Sequence, residues 1–391
     1  MGSRDALRAA VGALAALVLA ACAASPSASG PARPAASAPA AAGETGAASA
    51  PAAAAASAAL QAVIEGARKE GQLTLIWGEG TMGGHEGVRR LAEGYNKHYG
   101  LNVNVQFTPG ASMPQMVGRV AQEVQAGRPT ATDLVVAYAS SMLVAAQANA
   151  LEPVEWASWA PNVQDPQLVT GGGIGVAFQS SLAGISYNTS RLRGDLVPHT
   201  LQDLLKPEYK GRVASTPYAA YFDLLSTDEL WGRERTFDYV SRLAEQAAGL
   251  IRCNETERLI SGEFDALALD CSQSDTFKAK AQGAPLDYVV PTDAPLLLYL
   301  YIGVPKTAPH PNAAKLWVNY LLSREAQDVL YESNFQDLHL LPGSKTRNDL
   351  AAVEQANLKP TLITLEFLQR LDEQDFLARR ARIQELLTRG Q

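Results

Sequence analysis

The sequence has few of the residues from which metal-dependent and nucleophilic active sites are built. Its 391 residues include only three cysteines and five scattered histidines. It contains no G-x-S-x-G motif and no phosphate-binding P-loop, and the segment H-E-G-V-R at residues 85–89 lacks the second histidine of an H-E-x-x-H zinc motif. We therefore expect neither an enzyme nor a cofactor, and a hydrolase remains only a remote alternative.

Positive charge and long hydrophobic runs are also scarce. Lysine and arginine number 33 against 40 acidic residues, for a net charge of −7, which argues against nucleic acid as a partner. The longest apolar runs, 9–21 and 295–304, fall short of the roughly 20 residues that cross a bilayer. The hydrophobic content of 47% nevertheless suits a globular core.

The N-terminus carries an export signal. Arg4 and Arg8 precede the apolar run, and small residues lead directly to Cys22 in the sequence Leu-Ala-Ala-Cys. This order predicts a lipoprotein signal peptide at 1–21 and a mature protein held by lipid on Cys22 at the outer side of the membrane. An ordinary secretory signal or a spanning helix is the alternative.

The segment 22–57 consists almost entirely of alanine, serine, proline and glycine. Such a composition buries too little apolar surface to offset its conformational entropy. We therefore expect a disordered tether between the lipid and a globular part that begins near residue 58.

Two cysteines remain after lipidation, Cys253 and Cys271. An even pair outside the cytoplasm favours a disulfide, which would stabilise the fold by about 3 kcal/mol. Two separate buried thiols are the alternative.

Strand and helix patterns alternate through the globular part. Helices are predicted at 60–69, 86–99 with Gly100 as the stop, 116–126, 201–205, 222–230, 237–248, 254–262, 312–322, 325–332 and within 362–387. Strands are predicted at 72–77, 102–107, 133–137, 174–178, 184–187, 212–215, 265–269, 286–290 and 296–304. In parallel sheets of this kind, ligands collect at the loops that follow the strand C-termini.

Five segments resemble the ferric-iron-type family of bacterial extracellular solute-binding proteins of ABC transporters. They are 64–74 (IEGARKEGQLT), 148–153 (ANALEP), 207–213 (PEYKGRV), 261–263 (SGE) and 304–317 (VPKTAPHPNAAKLW), the last followed by LLSREAQ at 321–327. The resemblance implies an α/β fold of the periplasmic-binding-protein type II, with two lobes and a ligand in the cleft between them. We expect the first part of the first lobe at 58–180, the second lobe at 181–288, and the return to the first lobe together with the C-terminal helices at 289–391.

The resemblance implies a monomer that captures a small ligand by hinge closure and delivers it to an ABC permease. A subunit that presents its ligand to a membrane sensor is the alternative.

Within the segment 304–317, Pro309 and Pro311 favour an extended backbone before the next helix, and Asn312 is expected to cap that helix. His310 is therefore interpreted as a structural turn residue.

Ferric binders of the family use clustered tyrosines, often an adjacent Tyr-Tyr pair, and this chain has none. The segment where the pair is expected reads Asp-Cys-Ser-Gln-Ser-Asp at 270–275. The available donors for ferric ion are His85, Tyr218 and Tyr221, since hard iron favours oxygen ligands. Ferric ion therefore remains an alternative ligand.

A small organic or anionic solute suits the sequence better, because polar residues follow the predicted strands. The predicted binding residues are Glu79, Thr81, Ser112, Ser140, Ser141, Tyr187, Tyr218, Tyr221, Asp223, Asp270, Ser272 and Ser274. Hydroxyl groups and loop amides offer several hydrogen bonds to one ligand, although helix capping is the alternative role for each serine.

Overall fold

The computed structural model describes residues 50–253 and 255–389, without the side chains of 50–56 and 373. The predicted signal peptide, Cys22 and residues 22–49 of the predicted tether lie outside the described residues. Within the described part, no helix has the length and the hydropathy needed to cross a membrane.

The helices and strands follow the predicted alternation. The helices are α1 (Ala50–Glu70), α2 (Gly84–Tyr99), α3 (Met113–Gln125), α4 (Ala139–Gln147), α5 (Phe222–Leu225), α6 (Arg233–Gln246), α7 (Thr256–Ile260), α8 (Gln273–Ala281), α9 (Pro311–Leu321), α10 (Arg324–Asn334), α11 (Thr346–Gln355), α12 (Leu365–Gln369) and α13 (Glu373–Thr388). The strands are β1 (Gln72–Trp77), β2 (Asn104–Pro109), β3 (Val135–Tyr138), β4 (Val169–Thr170), β5 (Gly175–Leu182), β6 (Gly184–Asn188), β7 (Val213–Ser215), β8 (Gly249–Leu250), β9 (Ala266–Asp270), β10 (Leu286–Val289), β11 (Leu296–Gly303) and β12 (Thr361–Ile363).

Helix α1 starts ten residues before the predicted helix at 60–69, so residues 50–57 of the expected tether are helical. The added turns consist mainly of alanine, the residue with the highest helix propensity. Pro51 is compatible with this extension because it lies in the first turn, where its missing N–H is not needed.

Three sheets organise the described part of the chain, and this mixed α/β architecture confirms the predicted fold class. β1 pairs with β2 in parallel. The second-lobe sheet has the strand order β10-β6-β9-β7-β8, and a third sheet has the order β12-β11-β5-β4 with β3 beside β11. Helices cover these sheets, and the largest hydrophobic cluster runs through strands and helices of both lobes.

The chain crosses twice between the third sheet and the second-lobe sheet. β5 ends at Leu182 and β6 begins at Gly184, while β10 leads back to β11. The crossings are joined, since Ala183 donates its backbone N–H to Leu296. A side chain on Gly184 would collide with the ring of Tyr288 and the carbonyl of Val289. The glycine thus allows the two crossing segments, which we call the hinge, to approach closely.

The corner before α9 differs in detail from the predicted one. His310 is a structural residue as expected, with its Nδ1 2.8 Å from Asp133 Oδ2 and its backbone N–H donating to Asp133 Oδ1. The prediction that Asn312 caps the helix is wrong, because Asn312 lies inside the first turn. Glu70, at the end of α1, instead accepts the backbone N–H groups of Asn312 and Ala313 at 3.1 and 2.7 Å. A carboxylate at a helix N-terminus also interacts favourably with the helix dipole.

Helix α13 is one of the C-terminal helices expected within residues 289–391. It packs on α5 and α6 of the second lobe, whereas α12 packs on α4 of the first. Arg379 lies 3.2 Å from Asp228, and Arg380 lies 3.6 Å from the buried Asp223. These ion pairs and the buried Phe376 hold α13 in place. The C-terminal segment therefore contacts both lobes.

Candidate functional site

Three tyrosines from separate segments converge where the lobes face each other. Tyr138 ends β3 of the first lobe, Tyr221 immediately precedes α5 of the second lobe, and Tyr288 lies in β10 beside the hinge. The rings of Tyr138 and Tyr221 meet edge to face with their centroids 6.1 Å apart. The Tyr221 hydroxyl donates to the Cys271 carbonyl at 2.5 Å, and the Tyr288 hydroxyl donates to the Leu182 carbonyl at 2.8 Å.

These phenols are held in the neutral form. Burial raises the pKa of Tyr221 well above its usual value, and the neighbouring Tyr138 and Tyr288 raise it further. Burial likewise raises the pKa of Tyr138 and of Tyr288. At neutral pH the group therefore offers hydroxyl donors and acceptors rather than phenolates.

Asp270, at the end of β9, supplies a buried carboxyl beside the tyrosines. Burial and, secondarily, the carboxylate of Asp275 raise its pKa to about 7, although hydrogen bonding from Ser186 opposes the shift. The Ser186 hydroxyl donates to Asp270 and also lies 2.7 Å from the Thr276 hydroxyl. Near neutral pH this carboxyl is thus able to act as a donor or an acceptor.

The start of α8 connects the two lobes. Ser272 is its N-cap and accepts the backbone N–H of Ser274 at 3.3 Å. Gln273 Oε1 accepts from the Ser181 hydroxyl and from the Leu182 N–H, each at 3.2 Å. The Ser274 hydroxyl lies 2.7 Å from the backbone carbonyl oxygen of Asn334, at the end of α10, and 2.8 Å from its Oδ1.

The predicted disulfide is confirmed: Cys253 and Cys271 are bonded across 18 residues. Tyr218 packs on this bond, since its hydroxyl donates to Cys253 Sγ and accepts from the Cys253 N–H, both at 3.1 Å. The disulfide fixes the loop whose Cys271 carbonyl accepts from Tyr221. The disulfide therefore helps to position Tyr221 within the tyrosine group, by which we mean Tyr138, Tyr221 and Tyr288.

The predicted first-lobe residues occupy the loops and helix starts after their strands. Glu79 is exposed and Thr81 half-buried, while Ser140 and Ser141 lie in the first turn of α4. Ser112 is exposed and forms a capping box with Gln115, as Ser272 caps α8. For these two serines the observed contacts are those of helix caps.

Two predicted residues lie away from the tyrosine group. Tyr187 is buried within β6, with Asp287 and Ala266 as its strand partners. Asp223 is buried at the start of α5 and faces Arg380 of α13. The geometry gives both side chains structural neighbours, so their predicted contact with ligand remains a prediction.

The ferric donor set does not form a ready metal centre. The His85 ring is exposed and packs edge-on against Phe107 at 5.0 Å, whereas the Tyr218 and Tyr221 hydroxyls contact the disulfide loop. Among the described residues, Cys253, Asp270 and Cys271 form the one cluster of three metal-ligating His, Cys, Asp or Glu side chains. Its two sulfur atoms are bonded to each other and offer no thiolate.

Sequence reasoning missed Tyr138, Ser181, Gln273 and Tyr288. Tyr138 directly follows a predicted strand, which is the same signal that selected Ser140 and Ser141. The sequence carries no comparable signal for Ser181, because its approach to Tyr138 depends on β11 pairing with both β3 and β5.

The sequence is similar to curated proteins over part of its length. A curated relative, an Fe(3+)-binding periplasmic protein of Serratia marcescens, is 26% identical over 159 residues, covering 40% of this chain and 45% of that protein. The chain spans about half the length of the curated relatives it matches.

Two solved structures share the fold at low sequence identity. The substrate-binding protein of an ABC transporter from Agrobacterium tumefaciens has a TM-score of 0.66 at 16% identity, covering 81% of this chain and 95% of that one. The periplasmic binding protein AfuA from Actinobacillus pleuropneumoniae, with fructose-6-phosphate bound, has a TM-score of 0.57 at 20% identity, covering 81% and 97%.

The sequence model of the family described as "Bacterial extracellular solute-binding protein" matches residues 90–361, which is more than half of the chain. The two-lobed fold agrees with this match. The chain belongs to the family of bacterial extracellular solute-binding proteins.

Proposed function

We propose that this protein is a lipid-anchored extracytoplasmic binding protein that captures a small organic or anionic solute between its lobes and delivers it to an ABC importer. The observation that carries this proposal is the meeting of Tyr138 from the first lobe with Tyr221 from the second. A ligand held by both residues would contact both lobes at once.

The chemistry of the tyrosine group supports an organic or anionic solute. The Tyr138 phenol is able to donate a hydrogen bond to a hydroxyl, carboxylate or phosphate oxygen. The Tyr221 and Tyr288 hydroxyls already donate to backbone carbonyls, so their oxygens serve as acceptors. The nearby start of α8 adds the positive end of a helix dipole. Asp270 is able to accept from a hydroxyl or an amine. This mixture of donors and one carboxyl favours a polar solute over a bare cation.

Hinge closure supplies the mechanism. The lobes are joined by the crossings at 182–184 and 289–296, so one lobe is able to rotate on the other without breaking either sheet. Ligand contacts from both lobes lower the free energy of the closed state more than that of the open state. An ABC permease would then recognise the closed form.

The direct experiment is a thermal-shift screen with sugars, sugar phosphates, phosphonates, amino acids, polyamines and ferric salts. We expect one class of organic or anionic solute to raise the melting temperature, because a ligand that binds only the folded protein stabilises it. Failure of every class to shift the melting temperature, or chemical conversion of the bound solute, would count against the proposal.

Ferric ion is the second candidate, favoured by the convergence of three phenol groups and by the similarity to the Serratia marcescens protein. Binding would require the phenols to lose their protons although burial raises the pKa of Tyr138 and of Tyr288. Iron held by phenolate would give a visible charge-transfer band that Tyr138→Phe and Tyr221→Phe weaken. A colourless iron-treated sample would exclude this candidate.

The lipid anchor is tested separately from ligand binding. Replacing Cys22 with alanine removes the acceptor of the lipid, so we expect the variant to appear in the soluble fraction. Unchanged retention in the membrane fraction would contradict the anchor and leave the binding proposal intact.

A further inference from the structure

A cavity lies at the hinge, next to Leu182. Consecutive residues of a strand point to opposite faces, so Ser181 and Leu182 separate two environments. Ser181 interacts with Tyr138 and Gln273 on the side of the tyrosine group, whereas Leu182 lines the cavity. The cavity therefore lies on the other side of β5 from the site between the tyrosines, and Gln273 and Tyr288 border both.

Residues from both sides of the hinge line this cavity, which is open to solvent and has a volume of about 350 Å³. Phe277 of α8 and Tyr288 of β10 form one side, and Ala352 and Val353 of α11 form the other. A volume of this order suits a small organic molecule. The lining is mostly apolar, so an occupant would need a compact hydrophobic body.

Two buried polar atoms in the lining have no protein partner in the described part of the chain. Gln273 is 2% exposed, and its Nε2 is left unpaired while its Oε1 is bound to β5. Asp349, in the first turn of α11, has an unpaired Oδ2. A buried donor or acceptor without a partner destabilises the folded state, so each of these atoms calls for a partner.

The charge of the lining selects the kind of partner. It contains no lysine or arginine, and His199 at its exposed edge is the one basic residue. Burial and then the carboxylate of Asp337 raise the pKa of Asp349 to about 6. At neutral pH Asp349 is therefore mostly ionised, and a cation would relieve the cost of burying its charge.

The geometry points to a second binding site in the hinge cavity for a small amphipathic amine. Its ammonium group faces Asp349, an oxygen atom accepts from Gln273 Nε2, and its apolar body packs against Phe277. This site is additional to the solute site between the tyrosines and does not depend on the identity of that solute.

Because the cavity walls come from both sides of the hinge, the amine also acts on lobe closure. An occupant that contacts α8 and α11 together favours the conformation in which these helices are close. By linkage, the amine and the solute in the cleft then raise each other's affinity.

The test uses isothermal titration calorimetry on the full mature chain with tyramine as the probe and tyrosol, in which a hydroxyl replaces the ammonium group, as the neutral control. We expect saturable binding of tyramine and at least about tenfold weaker binding of tyrosol, since a charge-assisted hydrogen bond is lost. Asp349→Asn should lower the affinity for tyramine by a similar factor. Glu354→Gln, on an exposed carboxylate of the same helix that lies 3.4 Å from Arg347, should leave binding unchanged.

A second variant keeps the test decisive if Asp349→Asn alters folding. Ala352→Leu fills the cavity without removing charge and should also abolish tyramine binding, whereas Ser261→Ala, on an exposed turn of the second lobe, should leave it unchanged. Absence of saturable tyramine binding at low millimolar concentration, equal binding of tyrosol, or unchanged tyramine binding in Ala352→Leu would overturn the hinge site. None of these outcomes bears on whether a solute binds between the tyrosines.

Discussion

Tyr138 of the first lobe meets Tyr221 of the second edge to face, with ring centroids 6.1 Å apart. Any rotation of one lobe on the other changes the distance between these two rings, because the two residues belong to different lobes. The Tyr221 hydroxyl is also fixed by the Cys271 carbonyl at 2.5 Å. The pair therefore links ligand contact, lobe closure and the disulfide loop.

Removing the Tyr138 hydroxyl should weaken solute binding and leave the fold unchanged. We expect Tyr138→Phe to lower the affinity for the solute found in the screen about tenfold, since one hydrogen bond contributes roughly 0.5–1.5 kcal/mol. Calorimetric titration measures the change. Tyr331→Phe, on a half-buried ring of α10 near Lys345, is the matched control and should bind as the wild type. Equal weakening in both variants would argue against a role for Tyr138.

Asp270 should make stability depend on pH in a defined direction. Its pKa is raised from 3.8 to about 7, so the folded state binds more protons than the unfolded state between these values. Its contribution is complete below pH 3.8 and is lost as the pH rises through about 7. The loss is at most about 4 kcal/mol, at 1.36 kcal/mol for each pKa unit.

Asp270→Asn removes this titration while retaining an acceptor for Ser186. Urea unfolding at pH 4.5, 6 and 8 should show that the wild type loses stability relative to the variant as the pH rises. A constant difference between the two proteins across this range would contradict the buried, protonated carboxyl.

The contact between Ser274 and Asn334 should hold the lobes together. The Ser274 hydroxyl lies within 2.8 Å of two oxygen atoms of Asn334. Ser274→Ala should shift the equilibrium towards the open form by about 1 kcal/mol, or roughly fivefold. Small-angle X-ray scattering would detect the increase in radius of gyration, and Ser261→Ala, on an exposed turn of the second lobe, is the control. Identical scattering of all three proteins would mean that this contact does not restrain the hinge.

The disulfide should contribute about 3 kcal/mol to the free energy of unfolding, as estimated from the entropy of closing an 18-residue loop. Urea unfolding of the Cys253→Ser, Cys271→Ser double variant measures this loss. Its cleft should also bind solute more weakly, because the Cys271 carbonyl is no longer fixed for Tyr221. Unchanged stability and affinity would show that the loop is held by its other contacts, among them Tyr218.

Local patterns predicted most elements but few of the contacts between them. The strand at residues 72–77 was predicted with its observed bounds, and Gly100 ends α2 in the left-handed conformation with φ 61°, because alternation and glycine stops are properties of short segments. The replacement of Asn312 by Glu70 as the cap of α9 was not predictable, since these residues are separated by 242 positions.

The candidate site was recovered only in part for the same reason. The sequence pointed to Tyr221 and Asp270, which follow strands of the second lobe, and to the disulfide. It did not indicate that Tyr138 and Tyr288 join them, because that convergence depends on lobe docking and on strand pairing across the hinge. An adjacent Tyr-Tyr pair is readable in sequence, whereas tyrosines brought together from three segments are not.

Native mass spectrometry of protein purified from its own cells, without refolding, tests the central claim most directly. The account predicts one bound small organic or anionic molecule per monomer, released when the protein is unfolded and recovered chemically unchanged. An added mass equal to one ferric ion would contradict the proposed ligand class, and recovery of a converted product would contradict the binding function itself.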